Sequence, residues 1–265
     1  MIIIGEKMNG FIKRTAEAIN SRDEAYLKDL ALQQEQAGAD YLDLCAADGE
    51  HEAETLRWLI SIAQSASSLP ICLDSPNPNT IATVLPFCSR PGIINSVSLE
   101  AGKIETLFPL LAETEWKFVA LLCSNAGVPD SVEGRMELFE RILTAAKQYN
   151  IDESRLLIDP VLHSLATEET AFETFAGCVR EIRKRSNKVH IVSGLSNVSF
   201  GLPERSLINR AFLVLAMQVG MDSAILNPLD RELMGLLHAT RALLGEDEYC
   251  MDYITAFREG RLGSK

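Results

Sequence analysis

The most constraining feature of this 265-residue chain is an eightfold alternation of short apolar runs with longer amphipathic segments. The apolar runs read, in order, MIII, DYLDLC, PICLD, GIINS, KFVALLC, RLLID, VHIVSG and DSAILN. Continuous apolar runs that alternate with helical segments indicate a parallel sheet covered on both faces. Eight such units suit a closed (β/α)8 barrel, which typically needs about 250 residues. The pattern therefore predicts an α/β fold, a TIM barrel that forms a single domain over residues 1–265.

The amphipathic segments between the apolar runs are expected to be helices. They span 23–37, 52–65, 78–88, 103–112, 133–149, 168–185, 205–219 and 232–244. Gly38 and Gly220 stand where a helix is expected to stop. A further segment, 249–258, predicts an extra C-terminal helix against the barrel or a neighbouring subunit. An open doubly wound sheet is disfavoured because it usually has fewer strands, and no GxGxxG follows the first run.

Charge and composition exclude several classes of partner. The net charge of −12 argues against nucleic acid and against an anionic membrane surface, because both attract basic surfaces. No apolar run reaches 18 residues, and MIIIGEKMNG lacks the pattern of a signal peptide. Six cysteines without CxxC spacing are expected to be reduced, buried thiols. These features predict a cytoplasmic protein.

Polar residues recur where the apolar runs end. In a barrel of parallel strands these ends open onto one mouth, where active sites are built. The residues concerned are Glu6, Asn9, Asp43, Asp74, Ser75, Asn95, Ser96, Ser124, Asn125, Asp159, Ser196, Asn197 and Asn227. Each has a structural alternative, since an aspartate can cap a helix and an asparagine can satisfy loop backbone groups. Their recurrence at the same point of successive units favours a functional mouth.

The chemistry of this mouth suits a flat neutral heterocycle. An aspartate can accept two parallel N–H bonds from an aminopyrimidinone edge, and an asparagine can both donate to and accept from ring nitrogens. A buried polar group that stays unpaired costs about 1–3 kcal/mol, so such a ring of side chains selects strongly for its ligand. A pterin meets this description.

Seven motifs then resemble a known family, the pterin-binding methyltransferases. They are IIIGEKMNG, YLDLCA, CLDSPN, INSVS, LLIDPV, GLSNVSFG and LINRAF, in order from Ile2 to about Ala211. In that family 5-methyltetrahydrofolate and a corrinoid protein exchange a methyl group. The chain looks most like the stand-alone methyltetrahydrofolate:corrinoid methyltransferases. It is less similar to the folate domain of cobalamin-dependent methionine synthase and to dihydropteroate synthase. GLSNVSFG and INS are the specific motifs, whereas CLDS and IDP alone are weak.

The resemblance implies roles for four residues. Asp74 and Asn95 match the residues that bind the pterin ring, and Asp159 matches the aspartate that takes the aminopyrimidinone edge. Asn197 matches the asparagine near nitrogen 5, which carries the methyl group, and is the candidate catalytic residue. Residues expected to support these contacts or to line the rim are Glu6, Asn9, Asp43, Ser196 and Arg205. Arg205 or Arg210 could meet the folate tail, although Arg210 could equally belong to a structural helix.

The expected mechanism centres on nitrogen 5. Side chains raise the chemical rate only where they stabilise the transition state more than the ground state. Because an amide does not titrate usefully, Asn197 is expected to position the pterin and stabilise protonated nitrogen 5, with the proton travelling through water and a polar network. No DxHxxG motif is present, so the corrinoid is expected on a separate protein. A homodimer is implied by the resemblance, no protein-bound metal is expected, and the direction of transfer stays open.

Three alternatives differ in chemistry. A dihydropteroate synthase-like enzyme would need basic groups for a pyrophosphate leaving group, but GLSNVSFG contains none. A metal-dependent barrel enzyme could use Asp43, Asp74, Asp159 and His163, but no HxH follows the first strand. A non-catalytic reduced-folate-binding protein would bind the same ligand without transferring a methyl group.

Overall fold

The computed structural model describes residues 1–47, 49–100 and 102–263 of the chain. Its strands are β1 Ile2–Gly5, β2 Tyr41–Cys45, β3 Ile71–Asp74, β4 Ile93–Leu99, β5 Lys117–Ser124, β6 Leu156–Asp159, β7 His190–Ile191 and β8 Ser223–Leu226. Within the described residues these eight strands pair in parallel in the order β7-β6-β5-β4-β3-β2-β1-β8. Each strand overlaps one of the eight apolar runs in the sequence. The predicted α/β barrel is confirmed.

The barrel closes between the segments that contain β7 and β8. The amide of Asp222 donates to the Ile191 carbonyl at 3.3 Å, and the amide of Ile225 donates to the Ser193 carbonyl at 3.0 Å. The run VHIVSG predicts a longer strand than the two residues of β7. Val192 nevertheless donates to the Ile158 carbonyl at 2.9 Å, so the chain beyond β7 still lies in the barrel wall.

The helices surround the sheet. They are α1 Lys13–Asn20, α2 Glu24–Gln36, α3 Glu52–Ala66, α4 Pro78–Val84, α5 Lys103–Leu111, α6 Val132–Gln148, α7 Ala171–Arg185, α8 Arg205–Val219, α9 Arg231–Leu243 and α10 Met251–Arg258. The eight predicted segments between strands all contain helices. The segment 78–88 divides into α4 and a 3-10 turn, Leu85–Phe87, and the segment 168–185 becomes helical only at Ala171.

One helix, α1, is absent from the sequence-based expectation. It has eight residues and buries only Thr15, Ala18 and Ile19. This apolar face is too short to show a helical periodicity in the sequence. The Thr15 hydroxyl donates to the Lys7 carbonyl at 2.8 Å and ties α1 to the segment that follows β1.

The extra C-terminal helix is present as α10. Both carboxylate oxygens of Asp247 accept backbone N–H groups from its first turn, those of Asp252 and Tyr253, at 2.9 Å each. Ala256 is fully buried against the rest of the fold. None of the helices in the described segments is long and apolar enough to cross a membrane.

The barrel interior has an apolar floor and a polar upper layer. Ile4, Cys72, Ile93, Val119, Leu157 and Val192 form a separate buried cluster inside the barrel. Because side chains alternate along a strand, residues two positions after these also point inward, one layer nearer the mouth. Those next positions include Glu6, Asp74, Asn95 and Asp159. The alternation of the strands thus places carboxylates and amides above a mainly apolar floor, in which β2 contributes the buried Asp43.

Candidate functional site

Asp74 and Asn95 lie side by side at the mouth. Asp74 ends β3 and is the register partner of Asn95 in β4. The pairing of β4 with β5 is irregular between Asn95 and Val97, at the point where β4 enters the mouth. The two residues that the resemblance assigns to one pterin ring are therefore neighbours on adjacent strands.

Asp43 lies beneath this pair rather than on the rim. It is 1% exposed, and its Oδ1 accepts a hydrogen bond from Nδ2 of Asn95 at 3.4 Å. Burial, reinforced by the charge of Asp74, raises the pKa of Asp43 well above its ordinary value. The bond uses one of the two hydrogens of the Asn95 amide nitrogen and holds that side chain above Asp43. Asp43 thus contacts Asn95 from below, and its role toward a ligand stays a prediction.

Asp74 has no helix-capping role. The cap of α4 is Asn77, whose Oδ1 accepts the amide of Asn79 at 3.0 Å. Burial raises the pKa of Asp74 to about 6, while a hydrogen bond from the Cys45 thiol lowers it. A buried carboxylate that is costly to ionise and caps no helix is typical of a ligand-binding position.

Asp159 is fixed by the turn that follows β6. It is 7% exposed, and its Oδ1 accepts the amide of Val161 at 2.8 Å. No donor among the described residues reaches its Oδ2. Burial raises the pKa of Asp159 to about 6, partly offset by the charge of Arg135. One oxygen therefore holds the turn, and the other is available to an N–H donor of a bound molecule.

Arg135 is a supporting residue that the sequence does not reveal. It lies on α6 and is 1% exposed. Its Nε donates to the Pro129 carbonyl at 2.8 Å, and its Nη1 donates to the carbonyls of Pro160 at 2.9 Å and Val161 at 3.1 Å. These bonds join the loops after β5 and β6, so Arg135 holds the segment that carries Asp159. An arginine in a helix ordinarily faces solvent, so the local sequence pattern does not identify Arg135 as a buried residue.

Replacing Arg135 with methionine is expected to lower the free energy of unfolding by about 3 kcal/mol, because three loop carbonyls lose their buried donor. Urea denaturation monitored by circular dichroism measures the loss. Arg141→Met is the matched control, since Arg141 lies on the same helix and is exposed. Equal stabilities of the two variants would contradict the structural role given to Arg135.

Asn197 lies on a 3-10 helix, Leu195–Ser199, that follows β7 at the mouth. The residue is exposed, and its amide lies close to the backbone of Gly194. A Cβ atom at Gly194 would be 3.0 Å from Nδ2 of Asn197. The glycine of the GLSN motif therefore leaves room for the asparagine amide, which remains open to a ligand.

Glu6, Ser196 and Arg205 form a linked group beside Asn197. The Ser196 hydroxyl donates to the two carboxylate oxygens of Glu6 at 3.0 and 3.1 Å. Nη2 of Arg205 donates to the Ser196 carbonyl at 2.7 Å, and Nε of Arg205 donates to the Ser199 hydroxyl at 3.1 Å. Both ends of the short helix that carries Asn197 are thus held by charged side chains.

Asn9, Asn227 and Arg210 have structural partners. Asn9 and Asn227 close local turns, accepting the amides of Phe11 at 2.9 Å and Leu229 at 3.1 Å. Arg210 pairs with Asp230 at 2.7 Å and also with Glu232, so it links α8 to the start of α9. Arg210 could contact the folate tail or belong to a structural helix, and these ion pairs support the structural role.

The metal alternative gains no geometric support. Nδ1 of His163 lies 2.7 Å from Oε2 of Glu168, so this histidine is paired within its own loop. Throughout residues 1–47, 49–100 and 102–263 no three or more His, Cys, Asp or Glu side chains are arranged to hold a metal ion.

Comparisons with known proteins agree with the geometry. A family model described as "Pterin binding enzyme" matches residues 13–227. The methylcorrinoid:tetrahydrofolate methyltransferase of Eubacterium limosum is 46% identical over 266 residues, which cover 99% of this chain and 98% of that protein. Methionine synthase of Mycobacterium tuberculosis is 32% identical over 242 residues, which cover 86% of this chain but 20% of that protein.

A solved structure shares the fold. Dihydropteroate synthase from Xanthomonas albilineans, in complex with 7,8-dihydropteroate, has a TM-score of 0.65 at 21% identity, with 92% of each chain covered. At this identity the likeness concerns the fold alone and does not carry that enzyme's reaction to this chain. The resemblance read from the motifs is confirmed by the family match and by the full-length relative. The chain belongs to the family of pterin-binding enzymes.

Proposed function

We propose that the barrel mouth binds the pterin of a reduced folate and that the protein transfers a methyl group between nitrogen 5 and the cobalt of a corrinoid. The observation that carries the proposal is the polar layer of Asp74, Asn95 and Asp159 above an apolar barrel floor. Membership of the pterin-binding family and a full-length relative named for this reaction support it.

Within this site, Asp159 accepts N–H groups from the aminopyrimidinone edge through its unused Oδ2. Asp74 and the amide oxygen of Asn95 accept further N–H groups of the ring, while Asp43 fixes Asn95 from below. Burial of the ligand removes these groups from water, so mismatched heterocycles lose about 1–3 kcal/mol for each unpaired group. Selectivity for a pterin follows from this set of acceptors.

Asn197 is the residue that acts on the reacting atom. When nitrogen 5 takes the methyl group it becomes positively charged, and the amide oxygen of Asn197 can accept its N–H. An interaction that strengthens as this charge develops lowers the free energy of the transition state more than that of the ground state. The exposed position of Asn197 at the mouth leaves the opposite side of nitrogen 5 open to the cobalt.

The corrinoid is a substrate carried by a separate protein that docks at the mouth. The relative from Eubacterium limosum spans nearly the whole chain and is named for a methylcorrinoid donor and a tetrahydrofolate acceptor. Transfer toward tetrahydrofolate is therefore the direction that we propose. Nitrogen 5 attacks the methyl carbon, the cobalt–carbon bond breaks, and its electron pair leaves with the metal, which becomes cobalt(I).

A spectroscopic assay tests this function directly. The protein is mixed with methylcobalamin and tetrahydrofolate, and separately with cobalt(I) cobalamin and 5-methyltetrahydrofolate, while the cobalt absorption bands are followed. We expect protein-dependent interconversion of the two cobalt species. Tight folate binding without any change in the cobalt bands would instead identify a non-catalytic reduced-folate-binding protein.

A homodimer and a cytoplasmic location complete the proposal. Helices α8, α9 and α10 carry exposed apolar side chains that a second copy could cover, namely Leu207, Leu215, Leu236, Leu243, Tyr253 and Phe257. The six cysteines are free, which is typical of a reducing compartment. Light scattering in solution measures the mass of the assembly, and a monomeric mass would overturn the dimer.

A further inference from the structure

The proposed reaction leaves one proton unassigned. Nitrogen 5 of tetrahydrofolate carries a hydrogen, so the newly methylated nitrogen holds both that hydrogen and a positive charge. Neutral 5-methyltetrahydrofolate forms only when the proton leaves, and the amide of Asn197 cannot bind it at ordinary pH. A titratable group near Asn197 with a route to solvent is required.

We propose that Glu6 accepts this proton through the hydroxyl of Ser196 and releases it to solvent through an adjoining cavity. The inference rests on the proposed function and adds a proton-accepting residue to it. Ser196 directly precedes Asn197, and its hydroxyl donates to both oxygens of Glu6. Glu6 does not touch the pterin in this scheme but acts through Ser196.

The step balances without a further reactant. The lone pair of nitrogen 5 forms the bond to the methyl carbon, and the cobalt–carbon pair stays on cobalt. After methyl transfer the N–H proton leaves its hydrogen bond with the Asn197 amide oxygen and passes to Oγ of the neighbouring Ser196, as the serine's own proton passes to the Glu6 carboxylate. Protonated Glu6 afterwards loses its proton to water in the cavity, and the carboxylate is restored.

The cavity beside Glu6 gives the required route. It has a volume of about 210 Å³ and is lined by Glu6, Ser196, Arg205, Asn209, Asn227 and Asp230, among others. Several water molecules fit in this space, since each occupies about 30 Å³. Polar side chains make up most of the named lining of this cavity.

The other acids near the mouth are less suited to this task. Asp43 is 1% exposed beneath Asn95 and is not among the residues that line the cavity beside Glu6. In the proposed complex Asp74 and Asp159 are occupied by N–H groups of the pterin. Glu6 is the carboxylate that combines a hydroxyl link toward Asn197 with an opening to solvent.

The charges around Glu6 set the pH at which it can accept a proton. Burial raises its pKa, while the Ser196 bond and the positive charges of Lys7 and Arg205 lower it by smaller amounts. The carboxyl of Asp43 lies on the barrel side and Asp230 lines the same cavity. Because the pKa of Glu6 is raised, the carboxylate is a stronger base than an ordinary glutamate and can better hold a proton from nitrogen 5.

Glu6→Gln is the decisive variant, because glutamine still accepts a hydrogen bond from Ser196 but cannot take up a proton. With methylcobalamin and tetrahydrofolate we expect kcat to fall about 100-fold, while KM for tetrahydrofolate stays within about twofold. In the unaltered protein kcat should fall as pH drops through the raised pKa of Glu6, and this acid limb should vanish in Glu6→Gln. The profile of kcat/KM keeps an acid limb from Asp74 and Asp159 in both proteins.

Glu153→Gln is the matched control, since Glu153 also accepts a serine hydroxyl, that of Ser186 at 2.6 Å, but lies before β6 and away from the mouth. It should retain both the rate and the acid limb. A normal kcat and pH profile for Glu6→Gln would overturn the role of Glu6 and leave methyl transfer standing. An unaltered protein that transfers no methyl group would overturn the proposed function, and this inference with it.

Discussion

Alanine at position 197 is expected to lower kcat for methyl transfer about 100- to 1,000-fold, because one polar group that stabilises developing charge is lost. The affinity for tetrahydrofolate should change less than tenfold, since Asp74, Asn95 and Asp159 still hold the pterin ring. Following the cobalt bands at saturating tetrahydrofolate measures kcat, and calorimetry measures the affinity.

The matched control for this variant is Asn187→Ala. Asn187 is also an exposed asparagine but lies before β7, at the opposite end of the barrel from Asn197. It should retain full activity. If Asn197→Ala lost affinity for tetrahydrofolate and kept kcat, Asn197 would be a binding residue without a role in the chemical step.

Asp159→Asn is expected to have opposite effects on binding and on stability. The affinity for tetrahydrofolate should fall about 10- to 100-fold, because hydrogen bonds to a charged acceptor contribute about 1.5–3 kcal/mol. Stability should rise, since the variant removes a buried charge while an asparagine Oδ1 can still accept the amide of Val161. Calorimetric titration and thermal denaturation measure the two effects.

The gain in stability depends on pH in a defined direction. The pKa of Asp159 rises from 3.8 to about 6 on folding, so the native state binds a proton more tightly than the unfolded state. Asp159 therefore destabilises the fold above about pH 6, by roughly 3 kcal/mol, and this cost disappears as the pH falls toward 4. The stabilisation by Asp159→Asn should be full near pH 8 and shrink over that interval.

Asp152→Asn is the control for both measurements. Asp152 is exposed in the turn before β6, and its Oδ1 accepts the amide of Ser154. Its pKa is lowered by this bond, so the substitution should not stabilise the protein, and folate affinity should be unchanged. A stabilisation by Asp159→Asn that is equally large at pH 4 would contradict the assignment to a buried charge.

The fold and the main polar layer are readable from the sequence because both follow from local patterns. A strand covered on both faces is mostly apolar, so the eight runs stand out, and the polar residues at the end of each run lie at the mouth. Asp74, Asn95 and Asp159 are found in this way. Helix α1 is not predicted, because only three of its eight residues are buried.

The contacts that support the site cannot be predicted from the sequence, because they join distant segments. Ser196 and Glu6 are separated by 190 positions and meet only because the barrel closes β7 and β8 onto β1. Arg135 occurs in an amphipathic helix, and its inward direction depends on the loops after β5 and β6. Such contacts arise from closure of the fold rather than from any local period.

We propose above all that the acids and amides at the mouth bind the pterin itself. Calorimetric titration with separate parts of the ligand tests it most directly: tetrahydrofolate, a 6-substituted tetrahydropterin without a tail, and p-aminobenzoylglutamate without a pterin. We predict saturable binding of the first two and none of the third. Binding of the tail fragment alone, or no association with tetrahydrofolate at millimolar concentration, would contradict the claim.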